Sequence, residues 1–95
     1  MIIIIKPAAL EDIKQTFNYI ESDLSNPKAA SKIKEDIFNG IERLQNHPKL
    51  GKKLHDTDFR YIIIKNYLIF YKTDNNKIIV TRVLDGRTDY LKILF

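Results

Sequence analysis

Close to the C-terminus the chain reads Arg82-Val83-Leu84-Asp85-Gly86-Arg87-Thr88-Asp89-Tyr90. A guanidinium presents a planar fork of donors that suits a carboxylate or phosphate, and an aspartate beside it can hold that fork in place. Arg82 interrupts an apolar strand, so it either faces solvent on the open side of a sheet or pairs with Asp85 or Asp89. Arg87 follows Gly86, where a turn points it outward, either into an ion pair or towards a ligand. Tyr90 is the best candidate for an exposed aromatic. A second basic group lies upstream: Lys49, Lys52 and Lys53 share a loop with His47 and His55, and Arg60 opens the next strand. A hairpin sheet is expected to bring this loop beside the exit of the last strand, where Arg87 completes a phosphate-binding cluster. The alternative for the lysines is an ordinary solvated loop.

Other chemistries find little support. The two histidines have no companions at metal-ligand spacing, so no metal is expected. There is no cysteine, no glycine-rich phosphate loop, no serine elbow and no recognisable catalytic pair of carboxylates. No cofactor is expected.

The formal charge of +4 is unevenly spread. Residues 7–46 carry seven acidic and five basic side chains, a net of −2, whereas residues 47–95 carry ten basic and five acidic, a net of +5; Lys6 supplies the rest. The C-terminal half is therefore expected to build a basic surface able to attract a polyanion or an acidic protein. The opening MIIII is too short and lacks the basic start of a signal peptide, so it reads as a first strand. No run approaches the roughly 18 apolar residues of a membrane span. A cytoplasmic location and no membrane partner are the expectation.

These groups must be positioned by two kinds of element. Leu10, Ile13, Phe17, Ile20 and Leu24 recur at helical spacing and predict one apolar stripe on a helix from about 8 to 24, opened by Pro7. Ser25-Asn26-Pro27 breaks it, with Asn26 as the cap of a second helix. That helix carries the stripe Ala30, Ile33, Ile37, Ile41 and Leu44. Gly40 within it predicts close approach of a neighbouring element or a tolerated surface glycine. From Phe59 onward the pattern is β-branched and aromatic. Phe59–Ile64, Tyr67–Tyr71 and Ile78–Leu84 form an antiparallel meander with a tight turn at Lys65-Asn66 and a longer one over Thr73–Lys77. Tyr61, Tyr67 and Tyr71 complete a sheet face or core rim. Met1–Lys6 extends the sheet. The expected fold is α+β, one domain over 1–95, with a helical hairpin packed on a mainly antiparallel sheet in two layers.

The order of these features resembles the RelE/ParE superfamily of bacterial type II toxin–antitoxin toxins, and most closely its ParE-like branch. The likeness runs through Pro7-Ala8-Ala9-Leu10-x-Asp12-Ile13, Tyr19-Ile20, Asn26-Pro27-x-Ala29-Ala30, Leu44-x-x-x-Pro48-x-x-Gly51, Tyr67-Leu68-Ile69-Phe70-Tyr71 and the Arg82–Asp89 ending. Asp85 stands where the branch usually has histidine. ParE-like members inhibit DNA gyrase without catalysis; RelE-like members cleave mRNA on the ribosome. Both are neutralised by an antitoxin, here expected to be acidic and partly disordered. Gyrase inhibition is the preferred implication, because Leu68 occupies the place of a RelE-type arginine and a His-Tyr or His-Phe ending is missing. On that reading Arg60, Arg82, Arg87, Asp89 and Tyr90 face the target, with Asp89 or Asp85 positioning Arg87. The endonuclease alternative makes Lys52, Lys53, Arg87 and Tyr90 the catalytic set, acting on ribosome-bound mRNA. A non-toxic binding module is the third reading.

Overall fold

A computed structural model describes residues 1–95. Strand β1 (Ile2–Ile5) leads through Lys6 into helix α1 (Pro7–Asn18), which widens into a π-helical turn over Tyr19–Asp23. The amide of Leu24 there donates to the Tyr19 carbonyl, five residues back. Ser25, at a φ of 51°, reverses the chain. Helix α2 (Pro27–Arg43) then starts under its expected cap: the Asn26 side chain accepts from the Ala29 amide at 3.1 Å. The two-residue strand β2 (Lys52–Lys53) precedes β3 (Arg60–Ile64), β4 (Tyr67–Asp74) and β5 (Lys77–Asp85), and a short helix α3 (Tyr90–Leu94) ends the chain. No helix is long and apolar enough to cross a membrane.

The sheet order is β1-β5-β4-β3-β2, with β1 parallel to β5 and every other pair antiparallel. Helices α1 and α2 lie on one face, giving the expected two-layer α+β arrangement, and the short α3 rests on the other. Asn75 and Asn76 both adopt left-handed backbone, so β4 and β5 are joined by a two-residue turn rather than the longer one that the polar run suggested.

Ala9, Ile13, Ile37, Ile41 and Leu44 pack on Ile62, Ile69, Tyr71, Ile78, Val80 and Val83. Val80 and Val83 share this core although they are an odd number of residues apart. A bulge makes that possible: Phe70 pairs with Arg82 and Tyr71 with Val80, leaving Thr81 as the extra residue. The second face carries a smaller cluster of Leu54, Phe59, Leu68, Phe70 and Leu84, covered by Tyr61, Tyr90 and Leu94.

The stripe of α2 is buried as expected, with Ile33 at its edge. That of α1 is rotated. Leu10 and Leu24 are about half exposed, while Ala9, Asp12 and Ile13 face inward. A charged residue has taken an interior place, which requires partners of matching chemistry. Gly40 is explained by close approach, since a Cβ there would meet Ile64 Cδ1 at 2.9 Å.

Candidate functional site

The partner of Asp12 is Arg82. Its Nε and Nη2 donate to the Asp12 carboxylate at 2.7 and 2.8 Å, and the Val83 amide donates to the same carboxylate at 2.9 Å. The geometry follows from the lengths of the edge elements. The β1 ladder ends where the Lys6 amide meets the Val80 carbonyl, so beyond Val80 the rim of β5 has no strand beside it. Helix α1 crosses there, and Asp12 satisfies the orphaned Val83 amide. Arg82 therefore pairs with neither Asp85 nor Asp89 and does not face open solvent. The carboxylate hydrogen bonds push its pKa still higher.

Arg87 is differently placed. Its side chain is 85% exposed, yet it is held by Asp85 through Nε at 3.1 Å and Nη2 at 2.8 Å. The Arg87 amide also donates to Asp85, and Asn66 supplies a further donor at 3.2 Å. The Gly86 amide is bound by the Asn66 carbonyl at 2.7 Å, and Thr88 donates back to the Asp85 carbonyl through both its amide and its hydroxyl. The corner is thus pre-organised around one carboxylate. Hydrogen bonds from the Arg87 side chain and then its amide lower the Asp85 pKa to about 2. Asp89 takes no part: it is two-thirds exposed, and its nearest cation is Lys92 at 3.8 Å.

Beside this corner lies a shallow cleft of about 260 Å³ bordered by Tyr19, Tyr67, Asp85 and Arg87. Burial, and then the Asp85 charge, raise the Tyr67 pKa. Tyr19 arrives from the π-helical turn and is half exposed. Sequence reasoning placed Tyr67 only on a sheet face and gave Tyr19 no site role. Nothing local marks either as a neighbour of Arg87: the β4–β5 register sets Tyr67 opposite Asp85, and the docking of α1 on β5 brings Tyr19 to them.

The basic loop lies elsewhere. Lys53 pairs with Arg60, Arg60 with Tyr71, and Tyr71 with Val80, whereas Asp85 pairs with Tyr67 at the other end of β4. Four residues along a strand is about 13 Å, and three strand spacings add about 14 Å sideways, so Lys52 and Lys53 stand roughly 20 Å from Arg87. The expected cluster is not assembled. Arg60 is partly occupied, with Nη1 donating to the Gly51 carbonyl at 2.8 Å. The fully buried Tyr71 fixes the same loop: its hydroxyl accepts from the Gly51 amide at 2.9 Å and donates to the Pro48 carbonyl at 2.8 Å. Tyr90 is not a free platform either. Its ring packs on Phe70, centroids 5.3 Å apart, over the second apolar cluster.

A profile described as "ParE toxin of type II toxin-antitoxin system, parDE" matches residues 3–90, nearly the whole chain. The chain belongs to the ParE toxin family. Among solved structures, a chain from "Chromosomal ParDE TA system from P. aeruginosa" superposes with a TM-score of 0.79 at 17% identity, covering 90% of this chain and 95% of that one. A chain of the RelB-RelE antitoxin-toxin complex from Methanococcus jannaschii gives 0.65 at 23% identity, with coverage of 94% and 96%. At these identities the likeness carries the fold alone. Comparison with curated protein sequences finds no match. Within this ParE-family chain, the spacing from Pro48 to Gly51 has a clear physical basis: both backbone groups of Gly51 are bound by buried or half-buried side chains. A Cβ at Gly51 would stand 2.7 Å from the Tyr71 hydroxyl and 2.8 Å from the Tyr61 carbonyl.

Proposed function

We propose that this ParE-family protein is a growth-arresting toxin that inhibits DNA gyrase through a protein contact rather than by catalysis. The supporting observation is the dispersal of the groups that phosphoryl transfer would need. Cleavage by an attacking hydroxyl requires proton-transfer groups and a cationic stabiliser around one phosphorus. Lys52 and Lys53 lie far from Arg87, and the Tyr90 ring is committed to an apolar cluster. The Arg87 corner instead has the composition of a contact centre: an exposed but pre-oriented arginine with two tyrosines beside it, the residue types that dominate protein interfaces. Purified protein is expected to block gyrase supercoiling and to leave ribosome-bound mRNA intact. Codon-positioned cuts by primer extension, with supercoiling unaffected, would establish the endonuclease reading in its place.

The cognate partner on this reading is an antitoxin with an acidic, partly disordered segment that acts on the toxin in the cytoplasm. Two surfaces support it. A groove between α1 and α2 is lined by Leu10, Ile13, Phe17 and Phe38 and rimmed by Lys14 and Lys34, which suits an amphipathic helix with an acidic flank. The edge of β3 is covered by β2 only at Arg60 and Tyr61, so an extended segment can pair along the rest. Calorimetry with the product of an adjacent small acidic reading frame should show tight binding whose association rate falls with salt. Failure of any such product to bind removes the partner claim without touching the target.

A further inference from the structure

The largest cleft in the molecule, about 600 Å³, is not at the Arg87 corner. It opens at the opposite end of the sheet, where β1, β4 and the loop before β3 converge. Four cations line it: Lys6 from the end of β1, Lys53 from β2, Arg60 from the start of β3 and Lys72 from β4. Asp58 and Asp74 share the lining, leaving it a net +2, but no cation forms an ion pair with either. Lys72 is steadied instead by the Phe59 ring, its Nζ 4.4 Å from the centroid, an arrangement that orients the charge without neutralising it. Arg60 spends one donor on Gly51 and keeps the rest of its fork. These residues are distant in sequence, and only the parallel docking of β1 against β5 brings Lys6 to the group.

Unpaired cations converging on one cleft suit a polyanion, and we propose that this cleft binds the phosphodiester backbone of duplex nucleic acid. The lining distinguishes the duplex from a single strand. Single strands are normally held by stacking bases on aromatic rings, whereas the only hydrophobic side chain here is Ile79 and Phe59 is buried beneath Lys72. A duplex keeps its own bases stacked and needs only phosphate contacts, which position it without reading sequence. The proposal does not depend on the identity of the toxin's protein target, and its test contains no gyrase.

The test is fluorescence anisotropy of the full chain with a labelled 20-base-pair DNA duplex, a single strand of the same length, and poly-glutamate. Four phosphate contacts give a salt slope near 3.6, so duplex affinity should fall roughly 10²-fold between 50 and 200 mM salt. Lys72→Gln alone should lower the slope by about 0.9. The triple change Lys6→Gln, Lys53→Gln, Lys72→Gln should weaken duplex binding at least about tenfold at low salt. A charge-matched triple away from the cleft, Lys28→Gln, Lys32→Gln, Lys65→Gln, should leave it near wild type. The proposal is overturned by absence of duplex binding at 50 mM salt, by equal loss in both triples, by an unchanged slope in Lys72→Gln, or by preference for the single strand or poly-glutamate.

Discussion

Removing the Asp12 carboxylate should be among the most costly single changes outside the apolar core. Asp12→Ala deletes the acceptor of three hydrogen bonds, two from Arg82 and one from the Val83 amide. Val83 is 2% exposed, so its amide has no access to replacement water; an orphaned buried donor costs about 1–3 kcal/mol. Arg82 retains 30% side-chain exposure and can turn towards solvent. Its share therefore stays well below the roughly 3–5 kcal/mol of a fully buried broken pair. Together these give a loss of about 3 kcal/mol, a large part of the roughly 5–14 kcal/mol expected for a domain of this size. Urea unfolding followed by circular dichroism should show the midpoint falling by about 1–3 M. Asp12→Asn keeps an acceptor for the amide and should recover about half the loss. Adding Arg82→Ala to Asp12→Ala should change little further, because the partner is already gone. An Asp12→Ala variant within about 0.5 kcal/mol of wild type would refute the argument that α1 caps the rim of β5 through this carboxylate. An Asp12→Asn variant as unstable as Asp12→Ala would assign the effect to the charge pair alone.

Other substitutions separate structural from target-facing roles. Tyr71→Phe leaves the Gly51 amide and Pro48 carbonyl without their buried partner and should cost about 1–3 kcal/mol in the same unfolding assay. Gly51→Ala should destabilise by a comparable 1–3 kcal/mol or so, because the added methyl meets a backbone carbonyl that cannot turn aside. Gly40→Ala meets only side-chain carbons, Ile64 Cδ1 and Cγ1 at 2.9 and 3.1 Å, and gains about 1 kcal/mol of helix propensity, so it should lie near neutral. Arg87→Ala should abolish growth arrest while leaving the unfolding midpoint and antitoxin binding nearly unchanged; full toxicity in a folded variant would move the contact away from this corner. The same change should let the Asp85 pKa, about 2 in the intact corner, climb towards the ordinary value of about 3.9, as read by NMR titration. Because the folded pKa lies below the unfolded one, the small, solvent-screened contribution of this pair to stability is present above about pH 4 and drains away as pH falls through about 2. That acid dependence should be weaker in Arg87→Ala.

The sequence by itself determined the elements whose signals are local. The α2 stripe, the Asn26-Pro27 start and the β-branched strands depend on neighbours a few residues away, and period and capping chemistry report them directly. The order of those elements carried enough pattern to indicate the family. Arg87 could be read as outward-pointing for the same reason, since Gly86 and Asp85 lie next to it. What the tertiary structure alone decided is which face each element presents and which distant groups meet. Ile2–Ile5 has no alternation to read, and only its parallel register on β5 buries Ile3 and Ile5 in part and leaves Ile2 and Ile4 exposed. A stripe of Leu10, Ile13, Phe17, Ile20 and Leu24 was as plausible on periodicity as the rotated one, which keeps Ile13 and Ile20 buried but exposes Leu10 and Leu24. Asp12 turned inward because β1 stops at Ile5 and leaves the Val83 amide without a strand partner, a consequence of unequal strand lengths that no local window contains. The separation of Lys52 and Lys53 from Arg87 has the same origin. Both groups flank the meander, but antiparallel pairing places the entrance of β3 opposite the middle of β4, whereas the exit of β5 lies opposite the start of β4. Charge counts along a chain do not contain that register; hydrogen-bond pairing across the sheet sets it.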